Sequence, residues 1–165
     1  MSSARDDLVQ QARDVLSALG FDKTRSNERS ALTLLSLLGL RPGASWADAS
    51  RDLYGVTPLM NWMAEHLGKR YAPNSRETVR RQTLHQFVDA ALVVLNPDDP
   101  SRPVNSGKNV YQIDERAFAL LRRFGTPLRK KNLPAYLDQR PGQQAAYAAA
   151  RDRAMIPVTL PMVPR

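Results

Sequence analysis

Cysteine is absent from the 165 residues, and histidine occurs only at His66 and His85. The first absence excludes a disulfide framework and any thiolate-held zinc or iron–sulfur centre. The second leaves too few imidazoles for a multi-histidine metal site. No apolar run approaches the ~20 residues that a membrane-spanning helix needs. The chain is polar and charged from Ser2 onward, with no apolar stretch of the signal-peptide kind. A cytoplasmic chain without membrane contact is the expectation.

Catalytic constellations are missing too: there is no glycine-rich phosphate loop, no HExxH pair and no Ser/His/Asp set. Asp98-Asp99 is the one tempting acidic cluster. A nuclease of the PD-(D/E)xK kind needs an acid, a second acid, and a lysine two residues beyond it. Its carboxylates hold Mg2+ and its lysine orients the attacking water. Pro97-Asp98 offers the first element, but Ser106 stands two positions before Lys108. Asp98-Asp99-Pro100 therefore reads as turn chemistry. No catalytic residue, metal ligand or cofactor is assigned to this chain.

What is present is a core and an excess of positive charge. Hydrophobic residues make up 42% of the chain, enough to rule out wholesale disorder. The net charge is +8, with 24 basic residues against 16 acidic ones, and the pI is about 10.3. Such an excess points to a polyanionic partner, above all nucleic acid.

Along the chain, residues 4–19 read as an amphipathic helix closed by Gly20. Ser26-Asn27-Glu28 is the cap signal of a second helix. Its residues Ala31, Leu32, Leu34, Leu35, Leu37 and Leu38 nearly encircle it, which predicts the most buried helix. Ser45 and Asp48 form a capping box for a short third helix carrying Trp46. Thr57-Pro58 opens a fourth, with proline at the first helical position. Asn74 followed by Glu77 is read as the cap of a fifth, running to about residue 90. "ALVVL" then reads as a buried strand and "VYQI" as its returning partner, so "NPDDPSRPVNSGKN" is a hairpin tip. A helix over residues 115–124 follows, closed by Gly125 and Pro127. Pro127 and Pro134 are expected to interrupt the basic run around "LRKKN". A short helix near Tyr136, an alanine-rich helix over 143–153 and a strand-like "MIPVTLP" complete the reading.

The fold class that follows is mainly α with a small β-hairpin: a winged helix-turn-helix domain with N- and C-terminal helical extensions. Its expected divisions are an N-terminal helix (1–25), the winged domain (26–125) and a helical connector (126–165). In such domains the capped helix enters the major groove while the wing touches the backbone. At about 100° per residue, Val79, Leu84, Phe87, Val88 and Ala91 share one side of that helix. Thr78, Arg81, Gln82, His85, Gln86 and Asp89 share the other. Arginine can pair with guanine and glutamine with adenine, so Thr78, Arg81, Gln82 and His85 are candidate base readers. Arg76 joins the DNA-binding set. Arg80 falls on the inner side, where a phosphate contact or a structural ion pair suits it better. Arg102, Asn105 and Lys108 on the wing, and Arg129, Lys130 and Lys131 beyond it, are candidate backbone contacts. The bland alternative is that all of these form an ordinary solvated face.

Three blocks carry a resemblance: "NERSALTLLSLLGLRPGASWADAS", "YAPNSRETVRRQTLHQFVDAALVVLNPDDPSRPVNSGKNVYQID" and "MIPVTLP". They resemble the N-terminal region of the BsuBI/PstI family of type II restriction endonucleases over most of residues 15–161. The resemblance implies a winged helix-turn-helix domain ahead of a PD-(D/E)xK nuclease domain that uses Mg2+ to cut duplex DNA. In that family the catalytic part follows "MIPVTLP", whereas this sequence stops soon after, at "MVPR". The expectation is thus a DNA-binding domain without its nuclease, so Mg2+ would belong to the missing part. The implied partners are double-stranded DNA and a nuclease domain in cis or in trans, with the oligomeric state left open. A standalone winged-helix transcription regulator is the alternative, and a protein-interaction domain on the same scaffold is a third reading.

Overall fold

The computed structural model describes residues 3–22, 26–103, 106–124 and 128–155. Helix α1 (Ala4–Ala18) starts where the Ser3 hydroxyl accepts the Asp6 amide, and Asp6 and Asp7 complement the positive end of its dipole. Leu8, Val9, Ala12, Val15 and Leu16 recur at helical spacing and are all buried. Helix α2 (Glu28–Leu38) is capped by the Asn27 side chain, which accepts the Ser30 amide at 2.9 Å. Every residue from Ser30 to Leu38 is buried, as its all-round apolar pattern predicts. The Thr33 and Ser36 hydroxyls inside it donate to the Arg29 and Leu32 carbonyls. Gly39, at φ 65°, ends the helix in a left-handed turn.

The Ser45–Asp48 capping box forms as expected, around a short 3-10 turn, Trp46–Asp48. Helix α3 (Val56–His66) begins at Val56 after Gly55, so Pro58 is its third residue and not its first. A first-turn proline gives up an N–H that no carbonyl of the helix would have accepted. Helix α4 is one helical path in three parts: Arg76–Val79, a π-type stretch Arg80–Leu84, and His85–Asp89.

The start of α4 corrects the expected Asn74–Glu77 cap. Pro73 opens a 3-10 turn, Pro73–Ser75, before Asn74 can act as N-cap, and no side chain caps the helix that follows. Glu77 turns instead to Arg80 and Arg81.

Strands β1 (Val93–Leu95) and β2 (Tyr111–Ile113) pair antiparallel, Val93 opposite Ile113 and Leu95 opposite Tyr111. An isolated bridge adds Tyr54: its amide donates to the Tyr111 carbonyl at 2.9 Å and its carbonyl accepts the Tyr111 amide at 2.8 Å. The segment before α3 thereby borders the hairpin. Helix α5 (Glu115–Leu121) starts at Asp114, a buried cap that accepts the Ala117 amide.

The C-terminal region departs from expectation. Leu128–Met155 forms a single helix, α6, which passes through both Pro134 and Pro141. Each proline removes one ladder hydrogen bond. Docking offsets that loss: Tyr136 is buried, and Leu133 and Leu137 pack against the core. That core is shared by residues from α1 to α6. Among the described residues no helix is long and apolar enough to cross a membrane. The expected stops at Gly125 and Pro127, and residues 156–161 of the strand-like segment, lie outside the described residues.

Candidate nucleic-acid interface

Helix α4 is pinned from within and polar without. Val79, Leu84, Phe87, Val88 and Ala91 are buried as the wheel predicts. Phe87 meets Phe21 edge-on, with ring centroids 5.6 Å apart and planes at 83°. Arg81, Gln82, His85 and Asp89 are exposed on the opposite side, with Thr78 and Gln86 half-buried beside them.

Several of these side chains are held in place. Glu77 takes Arg80 in a two-point pair (3.0 and 2.8 Å) and also accepts from Arg81 Nε at 3.1 Å. The Arg80 hydrogen bond, more than any other contact, holds the Glu77 carboxyl below the usual carboxylate range. Arg81 nevertheless leaves 74% of its side chain exposed, so its other guanidinium nitrogens face solvent. His85 Nε2 lies 3.3 Å from an Asp89 carboxylate oxygen. Arg76 Nε donates to the Thr57 hydroxyl at 3.2 Å, tying α4 to the first turn of α3. From α2, Arg29 donates through Nε to Thr83 Oγ1 (2.9 Å) and through Nη2 to Gln82 Oε1 (3.3 Å).

The wing tip is a shaped loop. Asn96 sits in the left-handed region at φ 51°, 2% exposed, and its side chain is the hub. Its Oδ1 accepts from Arg102 Nη1 (2.8 Å) and from the Val110 amide (2.9 Å), while its Nδ2 donates to Asn109 Oδ1 (3.0 Å). Arg102 also pairs at two points with Asp98, and that contact holds the Asp98 carboxyl below its ordinary range. Asp99 accepts the Ser101 hydroxyl, and its carbonyl accepts the Arg102 amide. The acidic pair thus builds the turn. Arg102 faces inward, with 17% of its side chain exposed, whereas Lys108 is exposed. Asn105 lies outside the described residues. Arg129, Lys130 and Lys131 fall in the first turns of α6, and their side chains are not among those described.

The far end of α4 is closed by α6. Gln144 Nε2 donates to the Asp89 carbonyl at 2.9 Å, and Arg140 Nη1 donates to the Leu19 carbonyl beyond α1. Both carbonyls stand at negative helix ends.

Sequence reasoning missed Arg29, Thr83, Asn96 and Tyr54. The wheel places Thr83 on the inner arc, and an asparagine just past a strand is a known tenant of left-handed turns. Nothing local links Arg29 to α4 or Tyr54 to β2.

This chain matches the BsuBI/PstI restriction endonuclease HTH domain over residues 6–145. It is similar to the type II restriction enzyme BsuBI of Bacillus subtilis, with 45% identity over 92% of this chain and 48% of that protein. It is also similar to the type II restriction enzyme AplI of Arthrospira platensis, with 38% identity over 73% of this chain and 37% of that protein. The solved structure of SdaI restriction endonuclease superposes with a TM-score of 0.77 at 39% identity, covering 86% of this chain and 44% of that one. The chain thus spans less than half the length of each of these relatives.

Proposed function

We propose that this chain, which belongs to the BsuBI/PstI restriction endonuclease HTH-domain family, is a duplex-DNA-binding module of a type II restriction endonuclease acting in the cytoplasm. Helix α4 enters the major groove and the wing follows the backbone. One observation carries this reading: the exposed set Arg81, Gln82 and His85 stands on a helix whose other face is locked into the core. Directly after it comes a wing whose internal hydrogen bonds preform its shape and leave Lys108 exposed. Arg102 serves the wing by shaping it, and any contact it makes with phosphate follows from that shape.

Mg2+ chemistry does not fit these residues. Asp98 is committed to Arg102 and Asp99 to the turn, and among the described residues no carboxylates converge as a metal would need. The chain by itself is therefore expected to leave plasmid DNA intact with or without Mg2+. Cleavage by rigorously purified chain, abolished by chelator, would contradict this.

Binding itself is tested by titrating a labelled duplex at several salt concentrations. If about five phosphates are neutralised, log affinity falls against log salt with a slope of about −4 to −5. A slope near zero would remove the proposal. In the same assay Arg81→Ala should cost about 1–3 kcal/mol of discrimination between sites, while Lys108→Ala weakens all duplexes alike.

A further inference from the structure

Gln82 is a reader whose orientation is set from another helix. A glutamine that recognises adenine uses both ends of its amide, Oε1 accepting from N6 and Nε2 donating to N7. Here Oε1 already accepts from Arg29 Nη2 at 3.3 Å. A guanidinium has only donors, so the group facing it must be the amide oxygen and the amide cannot be flipped.

Arg29 has little freedom to leave. Its Nε donates at 2.9 Å to Thr83 Oγ1, on a residue with no exposed surface, and its backbone lies in the first turn of the buried helix α2. Its guanidinium therefore bridges two consecutive residues of α4 within the π-type stretch. One of the two lone pairs of Oε1 is thus taken, and the amide NH2, a donor pair, is the end of Gln82 best able to meet a base.

We propose that Arg29 is a positioning residue: by fixing the Gln82 amide with its oxygen engaged, it makes this position of α4 favour guanine, with its O6 and N7 acceptors, over adenine and cytosine. The inference rests on the DNA-binding reading above. It names the base edge that one residue takes.

The test is selection from a random duplex library, followed by competition titrations, for the wild type, Gln82→Ala, Gln82→Glu and Arg29→Met. The base position relaxed by Gln82→Ala identifies the one that Gln82 reads. There the wild type should prefer guanine over adenine by about tenfold, the size of one good hydrogen bond. Gln82→Glu keeps a partner for Arg29 but presents only oxygens, so preference should move to the amino groups of cytosine or adenine. Arg29→Met frees the amide oxygen and should narrow or invert the guanine preference. If loss of the Thr83 contact unfolds Arg29→Met, the exposed substitution Gln82→Glu still decides. Adenine preference in the wild type, or an unchanged profile for Gln82→Glu, would overturn the inference. Arg29→Met weakening every duplex equally would also overturn it. Salt-dependent binding with no base preference altered by Gln82→Ala would overturn this inference alone. A wild type that binds no duplex would overturn the DNA-binding reading as well.

Discussion

Phe87→Ala should lower the stability of the chain by about 3–5 kcal/mol, the largest loss expected from any substitution in α4. The ring is 1% exposed and meets Phe21 edge-on, so truncation leaves a cavity at the junction of α4 with the segment that follows α1. The aromatic pair adds about 0.5–1.5 kcal/mol beyond the buried area, and that is lost as well. The helix gains little from its own ends and ladder: its start has no side-chain cap, and its middle departs from regular α geometry. Packing of Val79, Leu84, Phe87 and Val88 against the core, together with the ties to Arg29, Thr57 and Gln144, holds it in place. Denaturant unfolding measures the change, with the transition midpoint falling and its slope nearly constant. Phe87→Leu, which fills most of the space, should lose much less. A loss below about 1 kcal/mol for Phe87→Ala would mean that this ring does not anchor the helix.

Asn96→Ala should cost about 2–4 kcal/mol and weaken binding to all duplexes without changing base preference. Two causes add. The side chain's hydrogen bonds to Arg102, Asn109 and the Val110 amide disappear inside a site only 2% exposed. The backbone at φ 51° also loses a residue type that tolerates the left-handed region. Asn96→Gly separates them, because glycine relieves the backbone but restores none of the hydrogen bonds. It should fall between the wild type and Asn96→Ala in thermal melting. An Asn96→Ala chain as stable as the wild type would show that the tip does not depend on its hub.

What could be read from sequence was what local chemistry decides. The Asn27 cap, the Ser45–Asp48 box and the inner face of α4 each depend on residues a few positions apart, and the hairpin on two short apolar runs joined by a turn-rich stretch. Local signals misplaced two helix starts: Pro73 starts its turn before Asn74 can cap, and α3 begins at Val56, ahead of Pro58. The unbroken α6 was not legible, because its continuity through Pro134 and Pro141 depends on Tyr136, Leu133 and Leu137 docking on distant parts of the core. The Tyr54 bridge is a single residue and has no periodicity to betray it. At the candidate interface, the exposed residues of α4 were legible as a face. Their restraints were not: Arg29 reaches across 53 positions of sequence to Gln82. The wing's shape was legible as a turn, but its hydrogen-bonding hub was not.

Amide NMR of the labelled chain during titration with a duplex decides whether α4 and the wing form the DNA-facing surface. The largest shift changes should fall on residues 76–86 and on the tip between β1 and β2, with the amides of α1 nearly unmoved. Changes concentrated on α1 or α5, with α4 silent, would contradict this placement.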